Sequence, residues 1–127
     1  MKVIETERLL LKSNSGWDFM IFRKSAPQKL VGIINLVADN LSGHIAIVIN
    51  PEYRDKKLGQ EATAAIIELA KQRGLIPTLE INNDEEHGAS RHIAGKFGFK
   101  RIGQNAHYPT HEDYQIKDDA NEPTPRT

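Results

Sequence analysis

Short apolar runs separated by turn-forming residues fill the first half of the chain, a pattern that predicts β-strands joined by tight connections. The last of these runs, HIAIVI, is rich in isoleucine and valine, which favour strands. The predicted strands cover residues 8–12, 17–23, 30–37 and 44–49. The predicted turns cover residues 13–16, 25–28 and 38–43, the second because it contains Pro27. The first half of the chain is therefore expected to consist of β-strands.

From Gly59 the spacing of apolar residues changes from two to about 3.6, which predicts an amphipathic helix. Its apolar stripe consists of Leu58, Ala62, Ile66, Leu69 and Ala70. The helix is expected to end at Arg73, because Gly74 is a typical helix-ending residue. A second, short helix is predicted at residues 90–97, and further strands at residues 75–81, 99–102 and 113–117. This order of elements predicts an α/β fold with a mixed sheet.

The chain has 127 residues, enough for one domain with a hydrophobic core and too few for two. We expect a domain at residues 1–117 and a disordered tail at residues 118–127, because the tail is polar and proline-bearing. Basic and acidic residues each number 17, so no overall charge favours nucleic acid or an anionic membrane as a partner. The lack of cysteine excludes disulfides and thiolate catalysis, and no apolar run is long enough for a membrane span, so a cytoplasmic protein is expected.

A basic turn follows the fourth strand, within the sequence NPEYRDKKLGQEAT from Asn50 to Thr63. The start of a helix carries unpaired backbone N–H groups and a partial positive charge, so a turn that directs these groups to one point binds phosphate. Neither G-x-x-x-x-G-K-S/T nor G-x-G-x-x-G occurs, which leaves nucleotide triphosphatase and Rossmann sites without support. Taken alone, the turn is either a phosphate site with Gly59 as its single glycine or a solvated basic loop.

Three segments in the correct order resemble the GNAT superfamily of N-acetyltransferases, in particular the branch that includes ribosomal-protein N-terminal acetyltransferases. The basic turn resembles the acetyl-CoA-binding motif Arg/Gln-x-x-Gly-x-Gly/Ala, with Arg54 and Gly59 at its ends and Lys57 in place of its middle glycine. The segment ETERLLLK, starting at Glu5, resembles the opening strand of that branch. The segment ASRHIAGKFGF, starting at Ala89, resembles its second helix.

The resemblance implies a single GNAT-like domain, with a mixed, mostly antiparallel sheet, a splayed pair of central strands and two main helices. It also implies acetyl-CoA as co-substrate, with pantetheine paired to the fourth strand and pyrophosphate on backbone N–H groups of the turn. The implied cofactor-binding residues are Ile47, Val48, Ile49, Arg54, Asp55, Lys56, Lys57, Leu58, Gly59, Gln60 and, in place of a family asparagine, His87. Lys57 leaves the site intact with a right-handed backbone and costs affinity if its position requires a positive φ.

For catalysis, the resemblance implies Glu80 as the general base that accepts a proton from the amine. The alternative for Glu80 is a surface charge on a strand, and Asn82 stands where other members carry their base. The tyrosine that many members place beside the thiolate is replaced by Ala94. Tyr108 and Tyr114 are either its substitutes or packing residues.

The predicted function is the direct transfer of acetyl from acetyl-CoA to an amine of a peptide, a protein or a small molecule. The alternative is a non-catalytic acyl-CoA-binding or interaction module. GNAT members usually carry two helices between their first two strands, whereas only residues 13–16 separate them here, so the acceptor side is expected to be open or completed in a homodimer. His107 and His111 flank Pro109, which argues against a helical zinc site, and no metal is expected.

Overall fold

A computed structural model describes residues 1–54, 56–82, 89–104 and 111–116, which form one sheet with two α-helices against it. The strands are β1 Lys2–Glu5, β2 Leu9–Ser13, β3 Asp18–Arg23, β4 Ala26–Asp39, β5 Ser42–Ile49, β6 Ile76–Asn82, β7 Phe99–Gln104 and β8 His111–Ile116. The helices are α1 Leu58–Gln72 and α2 Ala89–Lys96, and a short 3-10 helix, Pro51–Tyr53, precedes α1. The predicted α/β fold with a mixed sheet is confirmed.

The described strands lie across the sheet in the order β1-β2-β3-β4-β5-β6-β8-β7. Neighbours from β1 to β5 are antiparallel, and so are β6 with β8 and β7 with β8. β5 and β6 are parallel, because α1 carries the chain back to the same end of the sheet. A mostly antiparallel sheet with this parallel pair inside it is the arrangement that the resemblance implies.

The hydrophobic core lies between α1 and one face of the sheet, and the alternation of side chains along each strand selects the residues that enter it. Leu9 and Leu11 of β2 are buried, as are Phe19 and Ile21 of β3. On α1, Leu69 is half-buried and the other members of the predicted stripe are buried, namely Leu58, Ala62, Ile66 and Ala70. Full burial of a large aliphatic or aromatic side chain contributes roughly 1.5–3 kcal/mol. The sheet is therefore held to α1 mainly by this layer.

Two parts of the strand pattern differ from the prediction. β1 was not predicted, because its apolar residues are only the adjacent pair Val3 and Ile4, and of its four residues Ile4 alone is half-buried. The prediction of a turn at residues 25–28 is wrong, because β4 begins at Ala26. The ladder with β3 is irregular here: Arg23 pairs with Ala26 and Phe22 with Leu30, so the proline between them lies where its missing N–H breaks no pair.

Residues 14–17 join β2 directly to β3, so no helix lies between these two strands and the predicted compact form is confirmed. On the sheet face opposite α1, a row of apolar side chains crosses three strands, where Met20 pairs with Ile33 and Ile33 pairs with Val48. These side chains are 41%, 46% and 65% exposed, respectively. The face that α1 leaves uncovered is therefore partly apolar and accessible.

Neither helix in the described ranges has both the length and the apolar character that crossing a membrane requires. The predicted tail at residues 118–127 and the predicted domain end at residue 117 lie outside the described residues. Both remain predictions.

Candidate active site

β5 and β6 pair over their first halves and then separate. Their last parallel pair is Ile45 with Leu79, although β5 continues to Ile49 and β6 to Asn82. Beyond this pair, β5 stays with β4 and β6 stays with β8. Among the described strands, residues 46–49 therefore have no ladder partner on the side that faces β6. We call the resulting opening the central gap, and it is the splayed pair of strands that the resemblance implies.

The N-terminus of α1 lies against β5 at the wide end of the central gap. A Cβ atom added to Gly59 would lie 3.5 Å from Ile49 Cγ1 and 3.8 Å from Ile47 Cδ1, so the helix backbone approaches the separated half of β5 closely. The Glu61 N–H donates to the Lys57 carbonyl at 3.2 Å, and Lys57 provides no side-chain cap. The helical residues before Glu61 come too early in α1 for their N–H groups to find an acceptor within the helix. Together with the helix dipole, these N–H groups favour an anion.

Lys57 has a left-handed backbone, with φ 62° and ψ 18°, directly before α1. Its position thus requires a positive φ, which is the condition under which lysine in place of glycine carries a cost. A left-handed conformation costs a non-glycine residue roughly 1–2 kcal/mol. The chain must therefore stabilise this turn by other contacts.

The residues just before β2 supply those contacts. The Arg8 guanidinium donates from Nε to Glu61 Oε1 at 2.7 Å, from Nη1 to the Lys56 carbonyl at 3.1 Å and from Nη2 to the Lys57 carbonyl at 3.3 Å. The Arg8 N–H donates to Glu61 Oε2 at 2.7 Å, and the Thr6 hydroxyl donates to the same oxygen. The segment ETERLLLK and the basic turn are therefore one structural unit.

Glu61 is the charged centre of this unit, and its side chain is 17% exposed. Burial raises the pKa of its carboxyl, but the hydrogen bonds from Thr6 and from the backbone and side chain of Arg8 outweigh burial, so the pKa lies below its ordinary value. A carboxylate in the first turn of a helix is also favoured by the helix dipole. Glu61 is thus ionised at neutral pH and holds Arg8 against the turn.

Cationic side chains surround the start of α1. Arg54 Nε donates to the Ile49 carbonyl at 3.2 Å, which places the guanidinium at the end of β5. Lys56 and Lys57 are exposed beside it. Although the formal net charge of the chain is zero, this end of the central gap is locally positive.

A second group of ionisable side chains lies at the narrow end of the central gap, on the face opposite α1. Glu80 is the first β6 residue after the last parallel pair, and its Oε2 lies 3.3 Å from His44 Nδ1. His44 Nε2 lies 3.9 Å from Asp39 Oδ2. Asp113 of β8 pairs with Glu80. One ring nitrogen of His44 and one carboxylate oxygen each of Glu80 and Asp113 lie within 4.8 Å of one another. These groups can exchange protons or attract a cationic group such as an ammonium.

The contact with Glu80 raises the pKa of His44 above its ordinary value of 6.5. Partial burial lowers this pKa, while the charges of Asp113, Glu80 and Asp39 raise it. Nδ1 is inaccessible to solvent and has no hydrogen-bond partner of good geometry among the described residues, so its 3.3 Å approach to Glu80 Oε2 is an ion-pair contact. The surrounding carboxylates therefore favour the imidazolium form.

The family to which the chain belongs follows from its sequence. The profile of the family described as "Acetyltransferase (GNAT) domain" matches residues 2–100. The chain is a member of the GNAT acetyltransferase family. It is accordingly an acyltransferase, as the opening resemblance predicts. Comparison with curated proteins gave no match.

Solved structures share this GNAT fold. A GNAT-family acetyltransferase from Bordetella pertussis, termed putative, is 11% identical with a TM-score of 0.73, over 92% of this chain and 100% of that chain. A putative ribosomal-protein-serine acetyltransferase from Vibrio cholerae is 20% identical with a TM-score of 0.67, over 90% and 95% of the two chains. PaiA N-acetyltransferase from Thermoplasma acidophilum, solved with coenzyme A, is 21% identical with a TM-score of 0.60, over 80% and 60%.

In this GNAT protein, most of the implied cofactor-binding residues lie around the wide end of the central gap. Ile47 and Ile49 point to Gly59, whereas Val48 points to the opposite face and can contribute only its backbone there. Asp55 and His87 lie outside the residues whose side chains are described. Their roles remain predictions, as do those of all the other residues implied for the cofactor, namely Ile47, Val48, Ile49, Arg54, Lys56, Lys57, Leu58, Gly59 and Gln60.

The structure describes Ala94 and Tyr114, two of the residues considered for the thiolate side of the reaction. Ala94 is 4% exposed and belongs to the core, and Tyr114 is half-buried and packs against that core. Tyr108 lies outside the described residues, and the side chain of Asn82 is not described. Packing is therefore one role of Tyr114, and a role beside the thiolate remains a prediction.

Sequence reasoning missed two sets of side chains in this GNAT protein: Arg8, Thr6 and Glu61 behind the turn, and His44, Asp39 and Asp113 around Glu80. A signal existed for His44, because strand alternation places it opposite Ile45 and Ile47, on the uncovered face. No such signal existed for the first set, since Glu61 is more than fifty residues from Thr6 and Arg8 in the chain.

Proposed function

We propose that this GNAT protein is an N-acetyltransferase that uses acetyl-CoA and transfers its acetyl group directly to an amine. The observation that carries the proposal is the continuity of the central gap with the start of α1. Among the described strands, the gap has an unpaired strand edge, and at its wide end the helix N–H groups and cationic side chains favour an anion. A ligand with amides in an extended arm and a pyrophosphate at one end fits this order of groups.

The residues that would hold acetyl-CoA follow from this arrangement. The free edge of residues 46–49 would pair with the amides of the pantetheine arm, as an added strand pairs with a sheet edge. The N–H groups of Leu58, Gly59 and Gln60 would bind the pyrophosphate. Arg54, held at the end of β5, would add charge beside it. When bound, acetyl-CoA supplies an activated acetyl thioester.

Glu80 is the proposed general base. An amine must be neutral to attack a thioester, and most amines carry an extra proton at neutral pH. Glu80 lies at the narrow end of the central gap, with a side chain that is 18% exposed and adjacent to other carboxylates. It would attract the ammonium form and then accept one of its protons. The neutral amine would attack the thioester carbonyl, and the second proton lost by the nitrogen would end on the sulfur as the C–S bond breaks. The acetyl group would thus pass directly to the nitrogen, without a covalent enzyme intermediate.

The acceptor is proposed to be an amine of a peptide or protein. The sheet face opposite α1 carries Met20, Ile33 and Val48 as an exposed apolar row, and the direct β2–β3 connection places no helix over it. A small amine would be poorly enclosed on such a surface. An extended chain could contact the row while its amine reaches Glu80.

Two measurements test the proposal. Calorimetric titration should detect saturable binding of acetyl-CoA, and the absence of binding at millimolar ligand would reject it. Release of free CoA thiol in the presence of a library of peptide amines should exceed the rate without acceptor. Glu80→Gln should reduce that release by about 10²-fold or more, the usual effect of losing a general base.

The same measurements address the alternative, a non-catalytic acyl-CoA-binding module. Binding of acetyl-CoA without acceptor-dependent thiol release would favour the module. If thiol release is unchanged in Glu80→Gln, the protein is an acetyltransferase, but Glu80 is not its general base. Glu68→Gln is a suitable control, because Glu68 is an exposed carboxylate on α1, outside the site.

A further inference from the structure

Three ionisable side chains form a line along the sheet face that α1 does not cover. Glu80 is the first β6 residue beyond the parallel pairing with β5. His44 is level with Thr78, two residues earlier in β6, and Asp39 pairs with Ser42, two residues before His44. The line therefore starts at the narrow end of the central gap and leads away from it, toward the connection between β4 and β5.

Accessibility to solvent increases at the outer end of this line. The side chains of Glu80 and His44 are 18% and 19% exposed, whereas that of Asp39 is 62% exposed. The two ring nitrogens of His44 face opposite ends, since Nδ1 lies 3.3 Å from Glu80 and Nε2 lies 3.9 Å from Asp39. An imidazole with this orientation can receive a proton at one nitrogen and release a proton from the other.

The surroundings of His44 are fixed by a neighbouring side chain. Gln115 Nε2 donates to Thr78 Oγ1 at 3.0 Å and to Ser42 Oγ at 3.2 Å. Thr78 pairs with His44, and Ser42 lies two residues before His44 in β5, so both side chains are next to His44 on the same face. The ring is thus placed on a strand surface whose polar groups are already bonded across β5, β6 and β8.

We propose that His44 is a positioning residue for Glu80 and that His44 and Asp39 form a proton exit from Glu80 to solvent. This inference rests on the proposed function. Each turnover converts an ammonium and acetyl-CoA into an amide, the CoA thiol and one released proton, and no oxidation state changes. An N–H bond of the ammonium breaks as the Glu80 O–H bond forms, this proton then passes to His44 Nδ1, and the Nε2 proton leaves to water beside Asp39. Between turnovers, rotation of the ring would bring Nδ1 to solvent, where exchange restores the starting tautomer.

The charges around His44 determine how this exit depends on pH. Asp39 of β4, Glu80 of β6 and Asp113 of β8 face the ring, and together they favour its protonated form. A ring that already holds both protons cannot accept the proton of Glu80. The exit therefore closes as the pH falls through the pKa of His44 and opens as the pH rises above it.

The pH profile of kcat separates this role from a purely structural one. His44→Gln and Asp39→Asn should each lower kcat about tenfold with the KM for acetyl-CoA unchanged. His44→Gln should also move the acidic limb of the profile to lower pH, because the raised pKa is lost. Added imidazole buffer should restore part of the rate in His44→Gln. Asp18→Asn, an exposed carboxylate at the start of β3, is the matched control and should leave kcat unchanged.

A second measurement does not depend on activity. NMR titration of the His44 imidazole, assigned with His44→Gln, should give a pKa above 6.5 in the wild type and lower values in Glu80→Gln and Asp39→Asn. Wild-type kcat and an unchanged pH profile in both His44→Gln and Asp39→Asn would overturn the proton exit and leave the proposed function standing. A wild-type protein that acetylates no amine would reject both. If His44→Gln unfolds, Asp39→Asn and the titration decide.

Discussion

Arg8 Nε lies 2.7 Å from Glu61 Oε1, and the same guanidinium bonds the carbonyls of Lys56 and Lys57. The arginine belongs to the opening segment of the chain and the glutamate to the first turn of α1. The contact therefore fixes the turn that precedes the helix, at the place where the proposed pyrophosphate site begins. Each guanidinium nitrogen of Arg8 makes a hydrogen bond to a protein atom, so we expect Arg8 to act by holding the backbone of the turn in place.

Replacing Arg8 should weaken both the fold and the binding of acetyl-CoA. In Arg8→Gln we expect the free energy of unfolding to fall by about 1–2 kcal/mol, because charge-assisted hydrogen bonds to a partly buried carboxylate are lost. The Kd for acetyl-CoA should rise several-fold, as the turn becomes less ordered. Denaturant unfolding and calorimetric titration measure these two effects.

The matched control for Arg8→Gln is Lys24→Gln. Lys24 forms a 2.6 Å ion pair with Glu5, but the two side chains are 35% and 65% exposed, and such exposed pairs contribute little. We expect both unfolding and affinity to stay near wild type in this variant. Equal effects in the two variants would contradict a specific role for Arg8.

Glu61 should make the stability of the fold depend on pH in the acidic range. Its pKa is lower in the folded protein than its ordinary value of 4.5. Its stabilising contribution is thus fully present above 4.5 and is lost as the pH falls through the lower, folded value. In Glu61→Gln, the free energy of unfolding should be lower at pH 7 and should depend less on pH below 4.5. Denaturant titrations at several pH values test this against Glu52→Gln, which removes an exposed carboxylate from the 3-10 helix.

Features that depend on residues close together in the sequence could be predicted, whereas features that depend on residues far apart in the sequence could not. The strand runs and the stripe on α1 are local patterns, and the helix beginning near Gly59 agrees with α1 within one residue. β1 has no such pattern, because an edge strand with one half-buried residue is held mainly by its pairing with β2. Local patterns predict elements that bury their own side chains, and they miss elements that depend on a neighbour.

The same reasoning applies to the candidate site. The central gap and the position of the basic turn beside it could be predicted, because the resemblance placed their segments in order. The left-handed φ of Lys57 could not be predicted, because lysine gives no sign of it and the contacts to the turn come from Arg8, about fifty residues earlier in the chain. The pairing of His44 with Glu80 depends on the register of β5 with β6, which no local sequence pattern determines.

Gly32 should be required for the course of β5 beside the central gap. A Cβ atom at this position would overlap the Val48 carbonyl oxygen and lie 3.0 Å from Ile49 Cα, and both are backbone atoms that cannot rotate away. Gly32→Ala should reduce the free energy of unfolding by about 1–3 kcal/mol, as overpacking does. It should also raise the Kd for acetyl-CoA, because the separated half of β5 must shift. Differential scanning calorimetry and calorimetric titration measure the two effects.

Gly95→Ala is the control for Gly32→Ala. Gly95 lies in α2, and a Cβ atom there would meet nothing within 4 Å. Because Gly95 is the penultimate residue of α2, replacing it by alanine should leave the free energy of unfolding unchanged or raise it by less than about 1 kcal/mol. A Gly32→Ala protein as stable as Gly95→Ala would show that β5 accommodates the added atom.

Lys57 separates the effect of backbone conformation from that of charge at the proposed pyrophosphate site. Lys57→Gly relieves a left-handed conformation that costs about 1–2 kcal/mol but also makes the unfolded chain more flexible, so we expect a net stabilisation of up to about 1 kcal/mol. Lys56→Gly is the control, because Lys56 is exposed and has no positive φ, and it should destabilise instead. Lys57→Gln keeps the strain and removes the charge. If the site consists mainly of backbone N–H groups, Lys57→Gly should bind acetyl-CoA at least as tightly as Lys57→Gln. Tighter binding by Lys57→Gln would mean that the side chain at this position, rather than the backbone, holds the ligand.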